Sequence, residues 1–391
     1  MTGRVESNQT INPQTTRGNN AVQNKITLED ISVFWETSKK EEKRSNFDET
    51  FTANSNSKTG QKFLSGLIEN KDDLCLGLGI SEEQYDVFSC VALALATQET
   101  GMGKETGYLF ENMPIIRDIR TFLKDKEVEN GGLSASSGIT QAKINDFMKS
   151  LPQEDAELLR KLGIITEDLN INNLYQEPDK AAIATIVVLN SIAKNYDEYQ
   201  EVLNQEHNKY ETDLTEEQKT RSEELMSSII DIYNSEDISD EDKKELRESF
   251  AHWILSEDNS RKGDDVSDKF NEELNLERLN TVLKKNGFMD EINLDDIKLV
   301  RYYLTSEEQS MDLIEYCAHG WNNGTAQDGY GMKPDVLLST KIRTMFPVPE
   351  DFGYGQYTPN VARLTEEYIA QSTDEVDDAY IEELFEEFDY E

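Results

Sequence analysis

Tyr85, Phe88, Ala92, Leu95 and Glu99 follow one another at spacings of 3, 4, 3 and 4. That rhythm puts them on one face of a helix, so a carboxyl closes an otherwise apolar stripe. Gly101 and Gly103 come directly after and end the helix. A carboxyl can hand over a proton near neutral pH only if it stays protonated. Burial against apolar groups raises its pKa by disfavouring the charged form. The partial negative charge of a helix C-terminus pushes the same way. The chemistry this arrangement suits is general acid–base catalysis, by a half-buried Glu99 facing a groove. Two further stretches carry polar groups beside glycines. One is Ser136-Ser137-Gly138-Ile139-Thr140-Gln141, and the other is Ala318-His319-Gly320-Trp321-Asn322-Asn323-Gly324.

The elements that must position these residues are helical. Ser81-Glu82-Glu83-Gln84 forms a capping box that starts the Glu99 helix. Gly131-Gly132 and Ser134 to Gly138 mark turns. Helices are predicted over 141–150, 154–162 and 178–196, the last with Pro178 in its first turn. Ala181 to Ile192 is almost wholly apolar and reads as a central buried helix. From 199 to 305 the chain turns rich in Glu, Asp, Lys and Asn, with helical blocks near 214–233, 240–256, 270–285 and 294–303. A last helix is predicted over 361–370. Near the N-terminus, Thr27 is placed to cap a helix from Leu28 to Lys43, and 45–60 reads as a polar linker. Strand signals are few, so the chain is expected to be mainly α.

Taken in order, the three stretches resemble the lytic transglycosylase and goose-type lysozyme-like superfamily. That family has a catalytic Glu at a helix end, then a Gly-Leu-Met-Gln type turn, then an aromatic-Asn-small-Gly turn. Glu99 matches the first, Gly138 and Gln141 the second, and Trp321, Asn322 and Gly324 the third. Thr100 stands where Ser is usual, and Ile139-Thr140 where Leu-Met is usual. Pro359 to Ile369 is similar to the family's closing segment, with Thr365 and Tyr368 in register once an extra turn is allowed. The resemblance implies a lysozyme-like (transglycosylase) core with a large acidic helical insertion. It implies cleavage of peptidoglycan glycan strands between N-acetylmuramic acid and N-acetylglucosamine, with Glu99 as general acid/base and no cofactor. In the transglycosylases the sugar's own 6-hydroxyl attacks and leaves a 1,6-anhydro end. If water attacks instead, a second carboxylate should activate it, and Glu105, Glu111 and Asp118 are candidates.

Under this resemblance the substrate-binding residues are Gly138, Gln141, Trp321, Asn322 and Gly324. Gly138 lets the backbone approach a sugar. Gln141 can bond an acetamido group or orient Glu99. Trp321 offers a flat face to a pyranose ring or packs in the core. Asn322 either holds the turn or bonds sugar hydroxyls. His319, beside that turn, reads as a solvated loop histidine.

The domain organisation expected is a disordered arm over 1–24, a helical N-terminal segment over 25–70, and a core from 75–198 and 306–372. The acidic helical insertion is 199–305 and the acidic tail is 373–391. The alternative is a lysozyme-fold protein that binds without turnover, as a structural part of a secretion system or virion.

The 391 residues carry a formal charge of −40, which argues against nucleic acid and anionic headgroups as partners. Mean hydropathy is −0.69, so much of the chain must face water. Cys75, Cys90 and Cys317 are an odd count without paired spacing, which is no disulfide framework. Cys75 and Cys90 read as core side chains. His207, His252 and His319 are too far apart in sequence for a Cys-His metal site. Residues 258–269 fail as a calcium loop, because Lys269 stands where a bidentate Glu is needed. No P-loop, Rossmann or zinc-protease motif occurs. Neither a Sec-type signal nor a run long enough to span a membrane is visible. The resemblance then places action at the bacterial envelope, after export by another route or as part of a phage particle. The insertion or the tail would dock on the delivery machine.

Overall fold

The computed structural model of the protein describes residues 58–100, 140, 151–164, 177–255, 272–323, 332–347 and 357–372. Of the described residues 82% are helical and none lies in a strand. The chain is mainly α, as its patterning predicts. The expected helices at Leu28–Lys43 and 141–150, the arm and the acidic tail lie outside the described residues, as do Asp258 to Lys269.

Helix α1 (Lys58–Glu69) begins inside the segment read as a linker. A one-residue break leads to α2 (Lys71–Leu78), which Gly79 ends in the left-handed conformation. Helix α3 (Glu82–Thr100) starts at the predicted capping box. Ser81 N–H donates to Gln84 Oε1 at 2.9 Å, and Gln84 N–H donates to Ser81 Oγ at 3.2 Å. Two orphan amide donors are thereby satisfied, and Glu82 and Glu83 complement the positive end of the dipole. Helix α4 (Gln153–Lys161) follows, then α5 (Pro178–Ala193) with Pro at its first turn. The 178–196 expectation runs too far: α5 stops at Ala193, and Tyr196 opens α6 (Tyr196–Glu211).

Every residue from Ala181 to Ala193 is buried, so α5 is the central helix its composition predicts. Helix α1 lies along it, and α3 also packs on it. The close approach of α1 depends on Gly66, where an added Cβ would meet the carbonyl oxygen of Asp179 at 2.4 Å. Helix α3 is tied to its neighbours by Tyr85, whose hydroxyl donates to Leu67 O at 2.6 Å. The buried Asp86 also accepts from Lys71 at 3.0 Å.

The acidic stretch forms α7 (Glu216–Asn234), α8 (Asp240–Leu255) and α9 (Glu272–Lys285). A short 3₁₀ turn then runs into α10 (Ile297–Leu304). Three helices complete the described chain: α11 (Leu313–Asn323), α12 (Pro334–Met345) and α13 (Tyr357–Ser372). The last starts four residues before the predicted 361.

Buried apolar residues form two clusters. The first joins α1 to α6 with α11 and α13, and includes Phe63, Phe88, Val187, Tyr199 and Tyr368. The second lies in the acidic stretch, around Phe250, Trp253, Leu279 and Val300. Helix α12 serves both: Leu337 belongs to the first cluster, and Leu338 and Ile342 to the second, joined by Phe346 just past the helix end. No described helix is long and apolar enough to cross a membrane.

Candidate functional site

Helix α3 is not a one-sided stripe. Gln84 to Ala96 are all buried, so the helix is enclosed on every side. It leaves the core only in its last turn, where Thr97, Gln98 and Glu99 are partly exposed. The 3-4-3-4 spacing is therefore one part of a helix surface buried all round, and α2, α5, α11 and α13 pack against it. Glu99 stands where a protein interior meets solvent, as a half-buried acid requires.

Helix α13 builds the wall beside it, packing on both α3 and α11. Thr97 Oγ1 donates to Leu93 O at 2.8 Å and lies 2.9 Å from the Tyr368 hydroxyl. The single threonine proton is committed to Leu93, so Tyr368 donates to Thr97. This bond fixes α13 against the last turn of α3. At the other end of α13, Tyr357 is buried against the Glu99 carboxylate. Its hydroxyl is sealed from water and forms no hydrogen bond that meets both distance and angle. Burial, and after it the negative charge of Glu99 and a hydrogen-bonding contact with its carboxylate, hold the phenol well above its ordinary pKa. The two groups thus interact at close range without a well-formed bond.

The second motif enters the described structure only through Thr140, which is buried and 3.0 Å from Thr185 Oγ1 on α5. Thr185 gives its own proton to Ala181 O at 2.7 Å, so Thr140 is the donor. Gly138 and Gln141 lie outside the described residues, as do Gly324, Glu105, Glu111 and Asp118.

The third motif differs from expectation. Trp321 and Asn322 belong to helix α11, not to a turn. Trp321 is 7% exposed and packs in the first core. Of its two alternatives it takes the core one. Asn322 is partly exposed on the same helix. His319 is not a solvated loop residue: it is wholly buried, with Nδ1 2.9 Å from Thr340 Oγ1 on α12. A helical register placed it inward, which the short Gly-rich context had masked.

A second carboxyl stands out on α11. Glu315 is partly buried, and its amide donates to Asp312 Oδ1 at 2.7 Å, which caps the helix. Burial is the main cause that pushes its pKa up to about 7. Lys341 of α12 opposes the shift, while Asp312 and Glu366 of α13 add to it. Sequence reasoning missed both Tyr357 and Glu315. An Asp-x-x-Glu pattern signals a helix start, but neither residue carries a local sign of what will cover it.

Cys90 and Cys317 are buried and Cys75 is partly buried, all as free thiols. A shallow depression with a cavity volume of about 10 Å³ lies where the two cores meet, lined by Tyr199, Leu304, Met311 and Lys341 among others. Glu99 is not part of it. Among the described residues no group of three or more His, Cys, Asp or Glu could hold a metal ion. No protein-family model matches the chain, and no curated protein or solved structure matches it either.

Proposed function

We propose that the protein cleaves peptidoglycan glycan strands between N-acetylmuramic acid and N-acetylglucosamine, on a lysozyme-like core with Glu99 as general acid/base. The observation that carries this reading is the site of Glu99. It is a partly exposed carboxyl on the last turn of a helix whose preceding thirteen positions, 84–96, are all buried. Such a group can retain a proton and present it at a surface groove. Glu99 would protonate the leaving glycosidic oxygen as the C–O bond breaks. The resulting carboxylate would then take the proton of the attacking hydroxyl. If the attacker is the sugar's own 6-hydroxyl, the product is a 1,6-anhydro end and the enzyme is a lytic transglycosylase. The acidic stretch and the acidic tail would serve delivery to the envelope by docking on an export machine or virion.

The expected outcome for Glu99→Gln is a loss of glycan cleavage on the order of 10²- to 10⁴-fold with an unchanged melting midpoint. The mass of soluble fragments from wild type separates anhydro ends from reducing ends. Equal product release by wild type and Glu99→Gln would sink the reading.

A second reading is a lysozyme-fold protein that binds glycan or partner proteins without turnover. The core position of Trp321 favours it, since a groove without that aromatic face grips a sugar less well. Retention on insoluble peptidoglycan with no fragment released would select it.

A further inference from the structure

The Tyr357 hydroxyl is buried, lacks a well-formed hydrogen bond and lies against a carboxylate. A buried phenol normally finds an acceptor, because leaving a buried O–H without one costs free energy. The acceptor this one faces is Glu99. Among the described residues nearby, Thr97 binds Leu93 O and Tyr368 donates to Thr97. Helix α13 also holds Tyr357 rigidly, since Val361, Thr365 and Tyr368 along it are all wholly buried.

The geometry points to Tyr357 as a positioning residue for Glu99, its O–H closing onto the carboxylate oxygen once that carboxylate is charged. This inference rests on the reading of Glu99 as the acid/base. In the protonated enzyme Glu99 turns its proton toward the substrate, and the phenol keeps only a poorly directed contact with the carboxyl. When the proton has gone to the leaving group, the phenol O–H donates to the new carboxylate and holds it for the return transfer. No bond to Tyr357 forms or breaks, and its proton stays on oxygen throughout. A donor to the charged form favours that form. Tyr357 therefore keeps the Glu99 pKa from rising as far as burial alone would take it.

The test is Tyr357→Phe in the full chain, with steady-state glycan cleavage followed across pH. The substitution keeps the ring that fills the wall and removes only the hydroxyl. The expected result is a drop in kcat of about tenfold to a hundredfold with little change in KM. The basic limb of the pH profile should move upward by about one unit, because the carboxylate loses its donor. A merely structural tyrosine would not move that limb, so a wild-type kcat and profile in an active Tyr357→Phe protein overturns the proposal. A double-mutant cycle of Tyr357→Phe with Glu99→Gln on urea unfolding tests the contact apart from turnover. The unfolding constants should depart from additivity by about threefold or more. If wild type cleaves no glycan, the functional reading fails, and additive unfolding constants would then overturn the Tyr357 contact separately.

Discussion

Two carboxyls on neighbouring helices show how burial decides what a glutamate does. Glu315 illustrates the effect on stability. Its folded pKa of about 7 lies above the ordinary value of 4.5, chiefly through burial. Between those values the folded state holds a proton that the unfolded state has released, so stability falls as pH rises from about 4.5 to 7 and is level above. The full effect is at most roughly 3–4 kcal/mol, since one unit is worth roughly 1.4 kcal/mol. Glu315→Gln should flatten this slope and leave the variant more stable than wild type at pH 8. Urea midpoints at pH 5 and pH 8 measure it, and a wild-type slope in the variant would refute the assignment. Glu99 differs because its neighbour is a buried phenol, and under the proposed function its variants are read through cleavage. His319 belongs to the same scale: one helical register turned an expected solvent group into a core residue bonded to Thr340.

At the scale of elements, the site depends on how closely helices approach. Helix α5 is apolar all round and can accept partners on every face. Helix α1 reaches it because Gly66 has no side chain where the Asp179 carbonyl passes. Backbone cannot yield as a flexible side chain can, so Gly66→Ala forces the helices apart. Overpacking of this kind costs about 1–3 kcal/mol, offset by less than 1 kcal/mol of better helix propensity. Thermal unfolding should register the net loss. Gly77 gives the contrast: an added Cβ there meets only the side chain of Leu158, at 2.6 Å, which can rotate away. Gly77→Ala should therefore cost less than Gly66→Ala, and equal melting shifts would contradict the argument. The fixing of α13 on α3 by Tyr368 and Thr97 is the other close approach, and it sets the wall next to Glu99.

For the whole molecule, the charge of −40 and the two cores govern behaviour. A chain with that charge repels itself when compact. Salt screens exposed charges beyond about 10 Å at 0.1 M. The same salt weakens ion pairs such as Lys285–Asp242 and Arg278–Glu245. Exposed pairs contribute only about 0–1 kcal/mol each, so relief of the general repulsion dominates. The melting midpoint should rise with sodium chloride, and a fall would mean that the ion pairs outweigh the repulsion. Helix α12 places Leu337 in one core and Leu338 in the other, which couples the acidic helices to the part holding Glu99.

What the amino-acid order determined by itself is local. The capping box at Ser81, the proline at the head of α5, and the apolar run from Ala181 to Ile192 are written in adjacent residues. Each formed as read, because caps and propensities act over one or two turns. The helical blocks of the acidic stretch were legible for the same reason. The place of Glu99 at a helix end was legible too. The tertiary structure alone decided what surrounds these pieces. An apolar stripe on α3 became a fully enclosed helix because four other helices cover it. Trp321 went to the core because α11 continues as a helix through its glycine. Tyr357 and Glu99 are 258 positions apart in sequence, and no local pattern links them. They meet because α13 packs on α3, and burial at that junction, with the charge of Glu99, raises the phenol and makes the carboxyl a candidate for chemistry.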